Sequence, residues 1–328
     1  MGDVVAAGAW SGRSVLVTGA AGFLGEWTVR TLAAGGARVA GLDIAWRPEQ
    51  RERRADTISI VDGDVRDIEG VAALLRDARV DAVVHLAAQS LVGEAQTDPV
   101  DAFSNNVEGT WAVLEACRRT PAVASIVVAS SDKAYGDAKG EEYDETMPLT
   151  PLNPYDVSKA CADLIARSYA SAYGLPIAVT RCGNIYGGGD LNWSRVVPGT
   201  VRSLLRGERP IIRSDGTYVR DYLYVEDAVA GVLTLASALA ERAELRGEAF
   251  NFAAGERHTV MEVVERIMNR LGIRLEPDVR NEAVGEIREQ RLSAAKAQAV
   301  LGWRPAYSLD EGLNRAATWY REYLGSAR

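Results

Sequence analysis

The chain has 328 residues, 47% of them hydrophobic and 25% charged, ordinary proportions for a globular protein and enough for one large domain or two modest ones. Its 45 acidic and 37 basic residues give a net charge of −8, which argues against nucleic acid or an anionic membrane as the main partner. No apolar run reaches the roughly 18 residues that a membrane-spanning helix needs.

Met1 to Trp10 carries no basic residue ahead of its small apolar stretch, so it reads as a short loose tail rather than a secretory signal. The segments Ser14–Thr18, Arg38–Asp43, Ile58–Val61, Ala82–Leu86, Ser125–Ala129 and Ile177–Thr180 are short β-branched runs and read as buried strands. Amphipathic stretches lie between them, at Phe23–Ala34, Val71–Ala78, Val100–Arg118 and Tyr155–Tyr173. Strand–helix alternation with continuously apolar strands predicts an α/β fold, a Rossmann-type doubly wound parallel sheet. Past Gly183 the texture changes: a turn-rich break at Gly187–Asp190 precedes a helix near Pro198–Arg206 and an extended pair within Arg213–Val225. Helices near Glu226–Ala240, Val260–Leu271 and Leu309–Leu324 complete a smaller, helix-rich half expected to cap the carboxyl edge of the sheet. The expected division is a cofactor-binding domain over 11–183, rejoined by about 214–250, and a substrate domain over 184–213 and 251–328.

Cys117, Cys161 and Cys182 are widely spaced, which suits a reduced cytoplasm and offers no zinc-site spacing; Cys161 and Cys182 read as buried packing. The only histidines, His85 and His258, rule out a histidine-rich metal site, so no metal is expected. Four lysines stand against 33 arginines, and two of those lysines, Lys133 and Lys159, fall in the motifs below. An amine whose pKa can be shifted does chemistry that a guanidinium cannot.

The turn Thr18-Gly19-Ala-Ala-Gly22-Phe23-Leu24-Gly25 follows the first strand and opens the first helix, the context in which glycines let a pyrophosphate approach backbone at a positive helix N-terminus. Asp43 ends the second strand 18 residues beyond Gly25, where a carboxylate binds a ribose diol and repels a 2′-phosphate. That favours NAD over NADP, although Arg47 nearby offers a partner to a phosphate. Asp64 and Val65 follow the third strand, placed to meet an adenine, and Leu86, Ala87 and Ala88 follow the fourth, where backbone must pass the diphosphate. Farther on, Ser131-Asp132-Lys133 precedes Tyr155-Asp-Val-Ser-Lys159. Residues four apart share a helix face, so the Lys159 ammonium can favour ionisation of the Tyr155 phenol, whose ordinary pKa is about 10.

Together these residues resemble the extended short-chain dehydrogenase/reductase family, in its nucleotide-sugar branch. The resemblance spans nearly the whole chain and includes His85–Ala88, Asn106–Thr110, Arg181–Gly187, Arg220–Asp227 and Leu301–Pro305. It is similar in motif to the CDP-glucose 4,6-dehydratases at Ser131-Asp132-Lys133-Ala-Tyr-Gly136, Ala87–Val92 and Gly183–Asp190. The chain is shorter than those enzymes usually are, has Ala-Ala in its glycine turn, and over Arg213–Arg220 follows the general epimerase/dehydratase pattern.

The resemblance implies bound NAD, a nucleotide-sugar substrate and a homodimer built on the helices near Val100–Arg118 and Tyr155–Tyr173. It implies that Tyr155 takes the proton of the sugar 4-hydroxyl during oxidation of carbon 4 and that Ser131 hydrogen-bonds the same oxygen. Lys159 binds the nicotinamide ribose, and Asn106 joins the cofactor set. Asp132 is then the acid that protonates the departing 6-hydroxyl, and Lys133 is the carbon 5 base if neutral, or a cation that stabilises the enolate. Gln89, Ser131, Asn184, Arg195, Arg213 and Arg220 make up the substrate set, with Arg220 suited to a phosphate. A 4-epimerase, which needs only Ser131, Tyr155, Lys159 and NAD, is the second reading, and a non-catalytic NAD-sensing protein the third.

Overall fold

A computed structural model describes residues 8–52, 58–137, 141–282 and 286–326. The first half runs β1 (Ser14–Thr18), α1 (Phe23–Ala34), β2 (Arg38–Asp43), α2 (Pro48–Glu52), β3 (Ile58–Asp62), α3 (Ile68–Asp77) and β4 (Ala82–His85). Two short helices, α4 (Val92–Thr97) and α5 (Pro99–Phe103), lead into α6 (Gly109–Arg118), β5 (Ser125–Ala129), α7 (Pro154–Tyr173) and β6 (Ile177–Cys182). Then come β7 (Asn184–Tyr186), α8 (Val196–Leu205), β8 (Ile211–Ile212), β9 (Val219–Arg220), β10 (Tyr222–Tyr224) and α9 (Val225–Glu241). The chain closes with β11 (Ala249–Phe252), β12 (His258–Thr259), α10 (Val260–Leu271), β13 (Asp278–Val279), α11 (Ala295–Leu301) and α12 (Leu309–Ser326).

Seven strands form one sheet in the order β11-β6-β5-β4-β1-β2-β3, every pair parallel. Successive side chains of a strand point to opposite faces, and here both faces are covered, hence the continuous apolar runs. Val15, Val17, Val84 and Val127 pack with Val29 and Leu32 of α1 and Val229, Val232 and Leu233 of α9. Leu16, Val83, Ile126 and Val128 meet Val71 and Leu75 of α3, Val113 and Leu114 of α6, and Ala166 and Ala170 of α7. Each fully buried Val, Leu or Ile contributes about 1.5–3 kcal/mol before entropy is counted. A third core, with Val201, Tyr222, Ile267, Leu313 and Tyr320, joins α8, β10, α10 and α12. Strand order reverses between β1 and β4, so a crevice opens at their carboxyl ends, where ligands bind in such sheets.

Beneath that crevice the buried Arg181 side chain of β6 makes a two-pronged ion pair with Asp163 of α7, Nε to Oδ2 at 2.8 Å and Nη2 to Oδ1 at 3.0 Å. Its Nη1 donates to the Tyr135 hydroxyl, which donates in turn to Asn251 of β11. The network locks α7 and the segment after β5 onto the sheet.

Five details depart from the sequence reading. Val100–Arg118 is not one regular helix: a π-helical turn at Ser104–Glu108 lies between α5 and α6 and carries Asn106. The two extended segments of Arg213–Val225 do not pair with each other; β9 runs antiparallel to β12 and β10 parallel to β7. Ala249–Phe252, unanticipated as a strand, supplies the sheet edge. Trp10 is not part of a loose tail but buried, with its N–H donating to Gly35 O, while residues 1–7 of that expected tail lie outside the described residues. Cys161 is only half-buried, whereas Cys117 and Cys182 are buried as free thiols. No described helix is long and apolar enough to cross a membrane.

Candidate active site

The turn between β1 and α1 is built from backbone. Gly19 has φ +68°, and a Cβ there would lie 2.7 Å from Ala87 N and 2.9 Å from Leu86 C, so the two loops at the switch point close on each other over a bare glycine. A Cβ on Gly25 would sit 2.0 Å from Gly19 O, which holds α1 against the turn. Gly22 caps α1 without a side chain, and Phe23 and Leu24 start its first turn. The Asp43 carboxylate is fixed at the end of β2 by the N–H groups of Ala21 and Ala45, both at 2.9 Å. Arg47 is engaged by Glu26 at 3.1 Å and Glu49 at 3.0 Å, and so is not a free partner for a 2′-phosphate. Asp64 chelates Arg66, which holds its carboxyl below the usual range, and Val65 is buried behind it.

The second part of the site follows β5. Ser131 is extended, caps a 3₁₀ turn over Asp132–Tyr135 by accepting from Lys133 N, and donates to Asp132 Oδ1 at 2.9 Å. Tyr155 comes from the first turn of α7, and the Ser131 side chain is among the groups that work against the rise of its phenol pKa. Asp132 is 4% exposed, and burial raises its pKa against the opposing pull of Lys133 and Arg220. Lys133 reaches across the molecule to donate from Nζ to Gln290 Oε1 at 3.0 Å. Lys159 is buried, and its Nζ donates to Ala129 O at 2.5 Å; desolvation pushes it down to about 8 although Asp163 opposes the change.

Tyr155 differs from expectation. Burial pushes the phenol up to about 12, and the charge that most opposes this is the Arg195 guanidinium rather than the Lys159 ammonium. The Lys159 amine is directed at the carbonyl of Ala129, so the i,i+4 spacing alone does not couple the two groups.

Of the outer residues, Arg220 acts directly on this cluster. Arg220 is buried, donates from Nη1 to the carbonyls of Val219 and Arg288, and is the third charged or polar group acting to lower Asp132. Asn184 leaves its buried Nδ2 without an acceptor among the described residues. Arg195 pairs with Asp190 at 3.2 Å and keeps part of its guanidinium exposed. Arg213 is an exposed residue just past β8. Asn106 uses its amide within the protein, exchanging hydrogen bonds with the backbone of Gln89 and donating to Ser158 Oγ, so it braces the loop after β4 against α7. Gln89 donates to Leu91 O and Glu94, and its buried Oε1 meets no donor among the described residues.

A family model described as the NAD dependent epimerase/dehydratase family matches residues 15–253. The chain belongs to that family. The CDP-glucose 4,6-dehydratase of Salmonella typhimurium is 30% identical across 96% of this chain and 92% of its own length. The dTDP-glucose 4,6-dehydratase DesIV of Streptomyces venezuelae, solved with NAD bound, matches with a TM-score of 0.86 at 32% identity, over 95% of this chain and 98% of its own. The UDP-glucose 4-epimerase of Thermotoga maritima, solved with UDP-glucose, gives 0.87 at 30% identity, over 95% and 99%. As a member of the epimerase/dehydratase family the protein is NAD-dependent, and its bare glycine turn and clamped Asp43 fit that cofactor.

Three contributors to this family member's site escaped the sequence reading. His85 bridges Thr18 and Thr110, at 2.8 and 3.2 Å, and burial holds it neutral by lowering its pKa to about 3. Gln290 lies 157 residues from the lysine that it holds, a separation at which no sequence pattern connects them. Asp156 adjoins Tyr155, but an acid in the first turn of a helix reads as a solvated partner of the dipole; it is instead 3% exposed.

Proposed function

We propose that this family member is an NDP-hexose 4,6-dehydratase of the CDP-glucose type, converting its substrate to an NDP-4-keto-6-deoxyhexose. The observation that carries the reading is the buried Asp132, whose raised pKa suits an acid, side by side with Lys133 and accepting a hydrogen bond from Ser131. An epimerase needs no such second acid–base pair.

NAD, when bound, supplies the oxidant for carbon 4 and the reducing equivalent that later arrives at carbon 6. It would be held by Gly19, Gly22, Phe23, Leu24, Gly25, Asp43, Asp64, Val65, Leu86, Ala87 and Ala88, with Asn106 bracing the loop and Lys159 at the nicotinamide ribose. Tyr155 accepts the proton of the 4-hydroxyl, and Ser131 orients the same oxygen. The Tyr155 phenol must ionise for this, and Arg195 favours the anion. Once carbon 4 is a ketone the carbon 5 proton is acidic; Lys133 removes it, and Asp132 protonates the departing 6-oxygen. Arg220 and Asn184 face the phosphates, while Gln89 and Arg195 border the sugar and Arg213 the nucleotide.

Incubation with CDP-, UDP-, dTDP- and GDP-hexoses tests this: a product lighter by one water is expected, most readily from a CDP-hexose. An isomer of unchanged mass across the panel would establish the 4-epimerase instead. A homodimer through α5, α6 and α7 is also proposed, supported by the exposure of Val100, Phe103, Trp111, Leu164 and Tyr173 on those helices. Sedimentation should give twice the chain mass.

A further inference from the structure

Lys133 is held by an amide. Its Nζ donates to Gln290 Oε1 at 3.0 Å, and among the described residues no carboxylate lies within ion-pair distance of it. Gln290 is wholly buried, and backbone on both sides sets its position. Gln290 N donates to Val219 O at 3.2 Å, Val219 N to Arg288 O at 2.9 Å, and Tyr143 N to Arg291 O at 2.8 Å. The Tyr143 hydroxyl in turn donates to Gly136 O at 2.7 Å, just past the turn that carries Lys133. The amide is thus fixed to the same loop as the amine it meets. An ammonium offers only hydrogens, so the amide must present its oxygen, and Nε2 is left with no acceptor among the described residues. A buried donor without a partner is unfavourable, and in a native protein it calls for an explanation. A glutamate of the same shape would instead hold the lysine as an ion pair and so fix it as an ammonium.

We propose that Gln290 is a positioning residue that holds Lys133 by a neutral acceptor, which keeps the lysine in place as a free amine and so lets it serve as the carbon 5 base. This rests on the 4,6-dehydratase reading. A lysine that remains an ammonium cannot accept the carbon 5 proton. A carboxylate partner favours the ammonium because the charges attract, whereas an amide oxygen accepts an N–H from amine and ammonium alike. The neutral amine has two N–H bonds and a lone pair, so one N–H stays on Oε1 while the lone pair is free for carbon 5. Lys133 enters the reaction having released a proton to solvent. It takes the carbon 5 proton as the C–H electron pair becomes the enolate, and returns that proton to carbon 5 when hydride reaches carbon 6. The 6-oxygen leaves as water with the proton of Asp132, which the proton taken by Tyr155 from the 4-hydroxyl replaces through solvent. The sum is loss of one water. The titratable groups around the lysine are Asp132 on its own turn, Tyr155 and Asp156 of α7, Arg220 of β9 and Glu286 before Gln290. Burial raises the Asp132 and Asp156 carboxyls, the latter to about 6, which weakens their hold on an ammonium. Glu289 and Arg291, which flank Gln290, pair with each other at 3.1 Å.

Single turnovers of the NAD-loaded full chain test this, with carbon 4 oxidation followed as reduced-cofactor absorbance and elimination as carbon 5 proton exchange and release of water. Gln290→Glu keeps the shape and adds the charge. It should oxidise carbon 4 at the wild-type rate but eliminate about 10–10³-fold more slowly at pH 7, with the pH profile of elimination moved up by roughly 1–3 pH units. Gln290→Met removes the hydrogen bond without adding a charge, so elimination should slow while its pH profile stays where it is. A merely structural role would lower thermal stability and both steps together and would leave the profile unmoved. If wild type releases water but Gln290→Glu eliminates equally fast, Lys133 acts as a cation on the enolate and the proposal is wrong, while the dehydratase reading stands. Should Gln290→Glu fail to fold, Gln290→Met decides: elimination at the wild-type rate overturns the proposal, and slowed elimination with carbon 4 oxidation intact supports it. If wild type releases no water from any nucleotide sugar, the dehydratase reading itself fails and takes the proposal with it.

Discussion

The turn after β1 and the cluster after β5 lie at carboxyl ends of one sheet, with only β4 between their strands, yet they are made of opposite materials. The first is bare backbone: glycines pressed against carbonyls, with its acid, Asp43, fully clamped by N–H groups. The second is made of buried ionisable side chains, several with shifted pKa and some with unfilled hydrogen-bonding capacity. The cofactor end should thus be intolerant of added atoms, and the catalytic end tolerant of isosteric change in shape but not of a change in its protons.

The largest effect is expected at Gly25→Ala. With its Cβ 2.0 Å from a backbone oxygen, α1 must move, so the variant should lose NAD and much of its thermal stability. Purification with a full complement of NAD would break the contrast. At the other end, Tyr155→Phe fills the same space, and it should keep its Tm while losing carbon 4 oxidation by roughly 10²–10⁴-fold. Asp132→Asn should keep that oxidation but lose water elimination by a factor in the same range of about 10²–10⁴. If Asp132→Asn and Lys133→Met both turn over like wild type, these residues are structural and the epimerase reading takes over.

The smallest effect concerns stability. Burial raises Asp156 from 3.8 to about 6, so the folded state holds that proton more tightly than the unfolded chain. Its contribution is complete below about pH 4 and is lost as pH rises through 6, above which an ionised carboxylate is buried at a cost. Asp156→Asn should therefore melt a few degrees higher than wild type at pH 8 and equally at pH 4, checked by calorimetry. A gain that does not depend on pH would mean that shape, not charge, set the difference.

Much of the molecule was legible before folding. Gly19, Gly22 and Gly25 announce their turn because the reason for them is local: a side chain there collides with atoms a few residues away or with the adjacent strand end. The strands of the first half were legible for a similar reason, since burial on both faces leaves an unbroken apolar run. Helix Val100–Arg118 was placed correctly but not its π turn, because that turn serves Asn106, which braces Gln89 and Ser158 from other elements.

By itself the chain determined the parallel sheet, the glycine turn and the Ser-Asp-Lys and Tyr-x-x-x-Lys constellations, all of which depend on neighbours close in sequence. Only the tertiary structure decided how those side chains are protonated and held. It directed Lys159 to Ala129, set Arg195 rather than Lys159 against the Tyr155 phenol, tied Lys133 to Gln290 and buried Asp156 with no donor to its Oδ1 among the described residues. Charge states depend on burial and on contacts between distant segments, and a linear pattern of residues carries neither.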